Sequence, residues 1–133
     1  MRNNVQGFSL IELLLVLTLV SVILSLAVPT WRQHQLSAGR QQAWLQLQRI
    51  GLQQEMWHIQ HGQYFADMGL AQPAVDQVRY SYQVQLSEIG FLLSATVNAN
   101  GPQGHDALCW RLTLSDTGEM KSLGKGGEIQ LCK

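Results

Sequence analysis

The sequence predicts an α+β domain. One long N-terminal helix, its first half apolar and protruding, is laid by its second half on a small antiparallel β-sheet. Three observations predict it. Apolar residues recur at helical spacings as far as about His61. From Val78 onward they alternate, as strands do. That switch occurs once, which favours α+β over a repeating α/β chain. Ahead of both lies an apolar run from Phe8 to Pro29 that holds a single acid, Glu12.

The 133 residues suffice for one ordinary domain. Nine basic and nine acidic residues give a formal net charge of zero, so no bulk pull toward nucleic acid or anionic lipid is visible. Acids, histidines and potential nucleophiles are scattered. No G-x-S-x-G, no paired-carboxylate pattern and no phosphate-cradling glycine loop is found, so an enzyme is not expected and no cofactor is implied.

The N-terminal run begins the chain's organisation. At about 1.5 Å per residue, its twenty-odd positions cover roughly 30 Å, one hydrocarbon core. Arg2 precedes it, which by the positive-inside tendency leaves the N-terminus cytoplasmic and exports everything after Pro29. Met1 to Gly7 is too short and polar for an ordinary secretory signal, and the small residue Gly7 comes before the apolar run instead of after it. Cutting between Gly7 and Phe8 would leave the apolar helix on the mature chain. An acid at a membrane-helix centre costs roughly 2.5–3.5 kcal/mol, and a plain anchor has no need of Glu12. Cleavage would create its natural partner, the α-amino group of Phe8, with a reference pKa of about 7.7–8.0.

The string Gly7-Phe8-Ser9-Leu10-Ile11-Glu12, followed by the apolar run and Pro29, resembles the prepilin motif of the type IV pilin and type II secretion pseudopilin superfamily. The resemblance implies a type IV pilin-like fold and a membrane prepilin peptidase that cuts between Gly7 and Phe8 and N-methylates Phe8. It implies that Glu12 neutralises the N-terminal amine of a neighbouring subunit, and that the stem helix kinks at Pro29. The implied segments are a removed leader (1–7), a transmembrane and filament-core helix (8–29) and an exported head (30–133). The chain would first be a single-pass inner-membrane protein with a periplasmic head, then part of a pilus at the cell surface. Its partners would be major and minor pilin subunits, the peptidase and an inner-membrane assembly platform. One departure is Ser21, which stands where pilins commonly carry a helix-loosening glycine. Serine is the better helix former. Thr18, Ser21 and Ser25 suit close helix contacts but also occur in plain anchors.

Beyond Pro29 the helix turns polar. Leu36, Ala43, Leu47, Ile50 and Trp57 form one apolar stripe, glutamines fill the other faces, and Gly39 and Gly51 interrupt at about 1 kcal/mol each relative to alanine. Trp44 and Trp57 read as core or subunit packing before they read as a ligand-stacking pair. His58 and His61 share a face, but a structural zinc needs four ligands and only Glu55 is near, so no metal is expected. Gly62 stops the helix. Phe65 to Gln77, with Gly69 and Pro73, is a connector too short for an elaborate binding loop.

Strands follow. Val78, Tyr80, Tyr82, Val84 and Leu86 fall on one face of the first, and Phe91 to Val97 is the second. Asn100 to Gly104 is a loop. Leu108, Trp110, Leu112 and Leu114 share a face of the third. Asp116-Thr117-Gly118 is a turn, Glu119 to Leu123 a last strand, and Gly124 to Gly127 a flexible tip.

Cys109 and Cys132 are the two cysteines. Beyond a membrane segment, in an oxidising compartment, an isolated pair reads as one disulfide, with two unlinked thiols as the alternative. The pattern Cys109-x-x-Leu112-x-Leu114, then Gly118 and Cys132, resembles the disulfide-bounded region (109–132) of small type IV minor pilins, a pair that secretion pseudopilins generally lack. The leading expectation is therefore a structural subunit, a minor pilin, serving assembly, adhesion, motility or DNA uptake. The alternatives are a type II secretion pseudopilin and a minor pilin that binds DNA for competence. The candidate DNA contacts are Arg111, Lys121, Lys125 and Lys133, gathered near the cysteines with Trp110 and diluted by Glu119 and Glu128.

Overall fold

The computed structural model describes residues 8–71, 77–130 and 132. The expected leader (1–7), Pro73 of the connector and Lys133 lie outside the described residues. Helix α1 runs Leu10–His61 and a short 3-10 turn spans Met68–Leu70. Strands β1 (Tyr80–Leu86), β2 (Phe91–Val97), β3 (Arg111–Ser115) and β4 (Met120–Leu123) follow. They form an antiparallel meander in the order β1-β2-β3-β4. The architecture is the α+β arrangement of a type IV pilin, as the sequence predicts. By contacts the chain divides into two compact units between Gln35 and Leu36.

In the first unit the helix starts with the amides of Glu12 and Leu13 donating to Ser9 O at 3.1 and 3.2 Å. It contains a stretch long and apolar enough to cross a membrane, none of which is buried within the chain. Its hydroxyls are satisfied by their own helix. Thr18 Oγ1 donates to Leu15 O at 2.7 Å, Ser21 Oγ to Thr18 O at 2.8 Å and Ser25 Oγ to Val22 O at 2.7 Å. This is the economy a hydrocarbon setting demands, where each unpaired polar group is costly. The helix is unbroken through Ser21 and Pro29, although Pro29 has no N–H for the carbonyl of Ser25.

In the second unit Ala43, Leu47 and Ile50 of α1 are fully buried against Tyr80, Tyr82, Leu93, Ala95, Leu112 and Leu114 of the sheet. The two helix glycines lie in this buried face. A Cβ on Gly39 would collide with the Gln103 carboxamide, and one on Gly51 would stand 3.3 Å from Leu114 Cδ2. The glycines thus let helix and loop, and helix and sheet, come closer than alanine would, which offsets their propensity cost. Gln54, expected on a solvated face, is fully buried. Its carboxamide takes the Phe65 amide at 2.9 Å and gives Nε2–H to Phe65 O at 2.8 Å, clamping the chain after the helix stop. Gly62, at φ 72°, ends the helix by donating to His58 O.

The connector is more than a surface loop, since Phe65 and Ala71 are buried in the core. Trp57 stacks on His61 at 3.9 Å and meets Phe65 edge-on, while His58 stacks on Tyr64, which meets Phe91 edge-on. Trp57 and the two histidines are therefore engaged in packing, and Trp44 lies partly buried against the core. Among the described residues no metal-type cluster of His, Cys, Asp and Glu occurs.

The third strand corrects the expectation at its start. It begins at Arg111, not Leu108, because the chain turns at Leu108 and Cys109 and bends at Trp110. Leu108 is consequently 61% exposed and Trp110 half-buried, while Leu112 and Leu114 do face the core. Val78 likewise lies outside β1 and is exposed.

Candidate functional site: assembly segment and cationic end of the sheet

Two places carry the residues singled out from the sequence. The first is the start of α1. Phe8 is 80% exposed, and Glu12 sits exposed in the first helical turn. A carboxylate there complements the partial positive charge of a helix N-terminus. Among the described residues no basic group pairs with it. Gly7, the expected cleavage residue, lies outside the described residues.

The second place is the end of the sheet beside the cysteines. Cys109 and Cys132 form a disulfide, with Cα atoms 5.9 Å apart. The register of the meander sets the surface around it. Ser81 faces Thr96, Thr96 faces Arg111 and Arg111 faces Leu123, so these four residues make one row across the solvent face. Gln83, Ser94, Thr113 and Lys121 make the next. That face is rich in hydroxyl and amide groups, with Arg111 and Lys121 as its charges. Arg111 Nε donates to Thr96 Oγ1 at 3.2 Å. Lys121 pairs with Glu119 at 3.1 Å, both well exposed. Lys125 lies 4.9 Å above the Trp110 ring, a cation–π contact, and its amide donates to Ala107 O. Arg111, Lys121 and Lys125 are thus brought to one end of the sheet near the disulfide. Lys133 lies outside the described residues.

A buried polar latch supports this end, and sequence reasoning missed it. Arg40 of α1 makes a two-pronged ion pair with Asp106, Nε to Oδ2 and Nη2 to Oδ1, both 2.8 Å. Gln103 Nε2 donates to Asp106 Oδ2 and to Leu36 O, each at 2.9 Å, and Cys109 N donates to Asp106 Oδ1 at 3.3 Å. Asp106 and Gln103 are almost wholly buried. Burial alone would raise the Asp106 pKa. Hydrogen bonds from Arg40 and Gln103, the Arg40 charge and the Cys109 amide outweigh it and hold the carboxyl below the usual range. The hydrogen bond to Asp106 leads in raising Arg40 in turn. The Tyr80 hydroxyl lies nearby without a partner in hydrogen-bonding geometry among the described residues, and burial pushes its phenol up. The only signal in the sequence was an arginine in a glutamine-rich helix and an aspartate three residues before a cysteine. Nothing local ties positions 66 residues apart.

A stem helix whose second half packs on a four-strand meander, with a C-terminal disulfide and a prepilin-type N-terminus, defines a type IV pilin. Two family profiles match the chain. The prokaryotic N-terminal methylation motif matches residues 2–28. The profile described as type IV minor pilin ComP, DNA uptake sequence receptor, matches residues 29–113, well over half of the chain. The chain belongs to that minor pilin family. The family is a structural pilin family, its members pass through a membrane-anchored stage before pilus assembly, and the methylation motif implies prepilin peptidase processing. No curated protein matches the chain.

Proposed function

We propose that this minor pilin captures DNA at the filament surface for uptake. The observation that carries the proposal is the cationic, hydroxyl-rich end of the sheet, where Arg111, Lys121 and Lys125 stand beside the disulfide and Trp110. Phosphate contacts come from such side chains, cations and hydroxyls alike. The description of the family as a DNA uptake sequence receptor supports the same reading.

The pathway to that surface begins with a leader (1–7) in the cytoplasm, a membrane-spanning helix (8–29) and a periplasmic head (30–133). The peptidase cuts between Gly7 and Phe8 and methylates the new Phe8 amine. At the inner-membrane assembly platform, Glu12 pairs with the Phe8 ammonium of a neighbouring major or minor subunit. Each charge thereby sheds part of the cost of standing alone in an apolar bundle. Pro29 bends the stem where the head begins.

The test uses the full processed protein in detergent, titrated with duplex DNA at several salt concentrations. Retardation at low salt, falling linearly in log–log form as salt rises, is expected. Arg111→Gln should weaken it while the protein melts as before. Absence of any retardation at low salt would remove the DNA role and leave a purely structural subunit.

A further inference from the structure

A second cationic site lies away from the disulfide. Between α1 and β1 is a cleft of about 280 Å³ whose walls include Arg49, Arg79, Gln42, Gln46 and Tyr82. Among the described residues no carboxylate lines it. Arg49 is exposed and makes no ion pair among them. Among the described residues Arg79 Nη1 donates a long bond, 3.3 Å, to the neutral Gln103 Oε1. Two guanidiniums thus share one cleft of mixed polar and apolar lining with no described carboxylate in it. Elsewhere Arg40 is engaged with Asp106, Lys121 with Glu119 and Lys125 with Trp110, while Arg111 bonds the neutral Thr96 hydroxyl.

The cleft also connects with the surface already described. Arg79 precedes β1, and its carbonyl accepts the Asn98 amide at 2.9 Å, so it stands beside the Ser81–Thr96–Arg111–Leu123 row. Strands in a sheet lie about 4.8 Å apart, so that row crosses roughly 14 Å from β1 to β4. Arg79 stands near one end of it and Lys125 near the other, with Arg111 and two hydroxyls between.

We infer that the α1/β1 cleft is a phosphodiester site, in which Arg49 and Arg79 hold the backbone of a DNA strand that runs across the sheet, not along a strand of it. The glutamines and the tyrosine supply neutral hydrogen bonds to phosphate oxygens, as such side chains do. The cleft carries no sequence information. It fixes the path of the duplex, and any base reading is left to the other end of the row. This inference rests on the DNA-capturing reading above.

The experiment measures duplex binding by the full processed protein in detergent against salt concentration, for Arg49→Gln, Arg79→Gln and the pair. Each lost phosphate contact should shallow the log–log salt slope by about 0.9, and affinity should fall equally for duplexes of different sequence. Arg49→Gln removes no ion pair or hydrogen bond among the described residues, and its circular-dichroism melting curve should match the parent, so a lost slope would not come from unfolding. Arg49→Lys should recover most of it. If both arginine variants keep the parental slope while Arg111→Gln loses its share, the cleft inference falls and the DNA reading stands. If the parent shows no binding at all, both fall. Loss confined to one duplex sequence at an unchanged slope would mean base contact and would also overturn the phosphate assignment.

Discussion

The two units of this chain share one helix and solve opposite problems with it. Before Gln35 the side chains of α1 are exposed, large apolar ones included, and the hydroxyls turn inward to their own backbone. After Leu36 the same helix buries one face completely, tolerates two glycines to do so, and ties itself to a distant loop through Arg40. The head carries its own solvent-shielded core. The stem has none, so its stability as a helix comes from what surrounds it, lipid first and fellow subunits later. The difference teaches where single changes act. A stem change should alter partnership and spare the head, whereas a head change should alter folding and spare insertion.

The largest expected effect lies at Glu12. Among the described residues no basic group pairs with it, and the partner proposed for it is the Phe8 ammonium of a neighbouring subunit. Glu12→Ala should insert into the membrane at parental levels, since an acid has been removed from an apolar segment. It should be depleted at least tenfold from sheared filaments, measured by immunoblot against the membrane fraction. The soluble head should melt unchanged. Parental incorporation of the variant would break the comparison, because the stem would then need no outside partner for its charge.

Much of this contrast was legible in the sequence, because both signals are local. The apolar run, the acid near its start and the three-four-seven stripe through Ala43, Leu47 and Ile50 are read from neighbours along the chain. The alternation of Phe91 to Val97 is equally local, and the strand has those bounds. What escaped depends on tertiary partners. Gly39 and Gly51 read as interruptions because the bulk they avoid belongs to Gln103 and Leu114. Gln54 read as one more surface glutamine because Phe65, its partner, lies past the helix stop. Leu108 read as the start of the third strand because the loop held by Asp106, itself anchored by Arg40, delays that strand to Arg111. The cationic cleft escaped for the same reason, since Arg49 and Arg79 are 30 positions apart and line one cleft only in the folded head.

The latch sharpens the head side of the contrast. Asp106→Asn leaves Arg40 largely buried without its counter-charge, and breaking a buried pair from one side costs roughly 3–5 kcal/mol. Chemical denaturation of the full protein in detergent should show that loss. The pH dependence follows from the depressed carboxyl. A group held below its unfolded pKa stabilises fully above that value, about 3.9 for aspartate, and loses its contribution as pH falls through the folded value. The parent should therefore be flat from about pH 5 to 8 as far as Asp106 is concerned and weaken below about pH 4. The variant should lack this part of the acid limb. An unchanged acid limb would mean the ion pair contributes nothing the loop does not already have from Gln103.

Reduction of the disulfide should have a somewhat smaller effect, and its character separates two roles for the C-terminal end. The bridge spans 23 positions, and the chain-entropy estimate for a loop of that length is roughly 3–4 kcal/mol. Cys109 is buried and its amide is held by Asp106, so that half of the bridge stays in place when the bond is cut. The segment after β4 is held by fewer ties, among them the pairing of Leu123 with Ile129, the Gln130 amide on Ser122 O, the Ser122 hydroxyl on Gln130 O and the Lys125 amide on Ala107 O. Reduction should therefore loosen residues beyond Leu123 first, seen as faster amide hydrogen exchange there while β1 to β3 keep their protection. Lys125 would lose its seat over Trp110 in the same step, and DNA affinity should fall before the head unfolds. If exchange instead quickens evenly across all four strands, the bridge holds the whole sheet, and the cationic end has no independent support to lose.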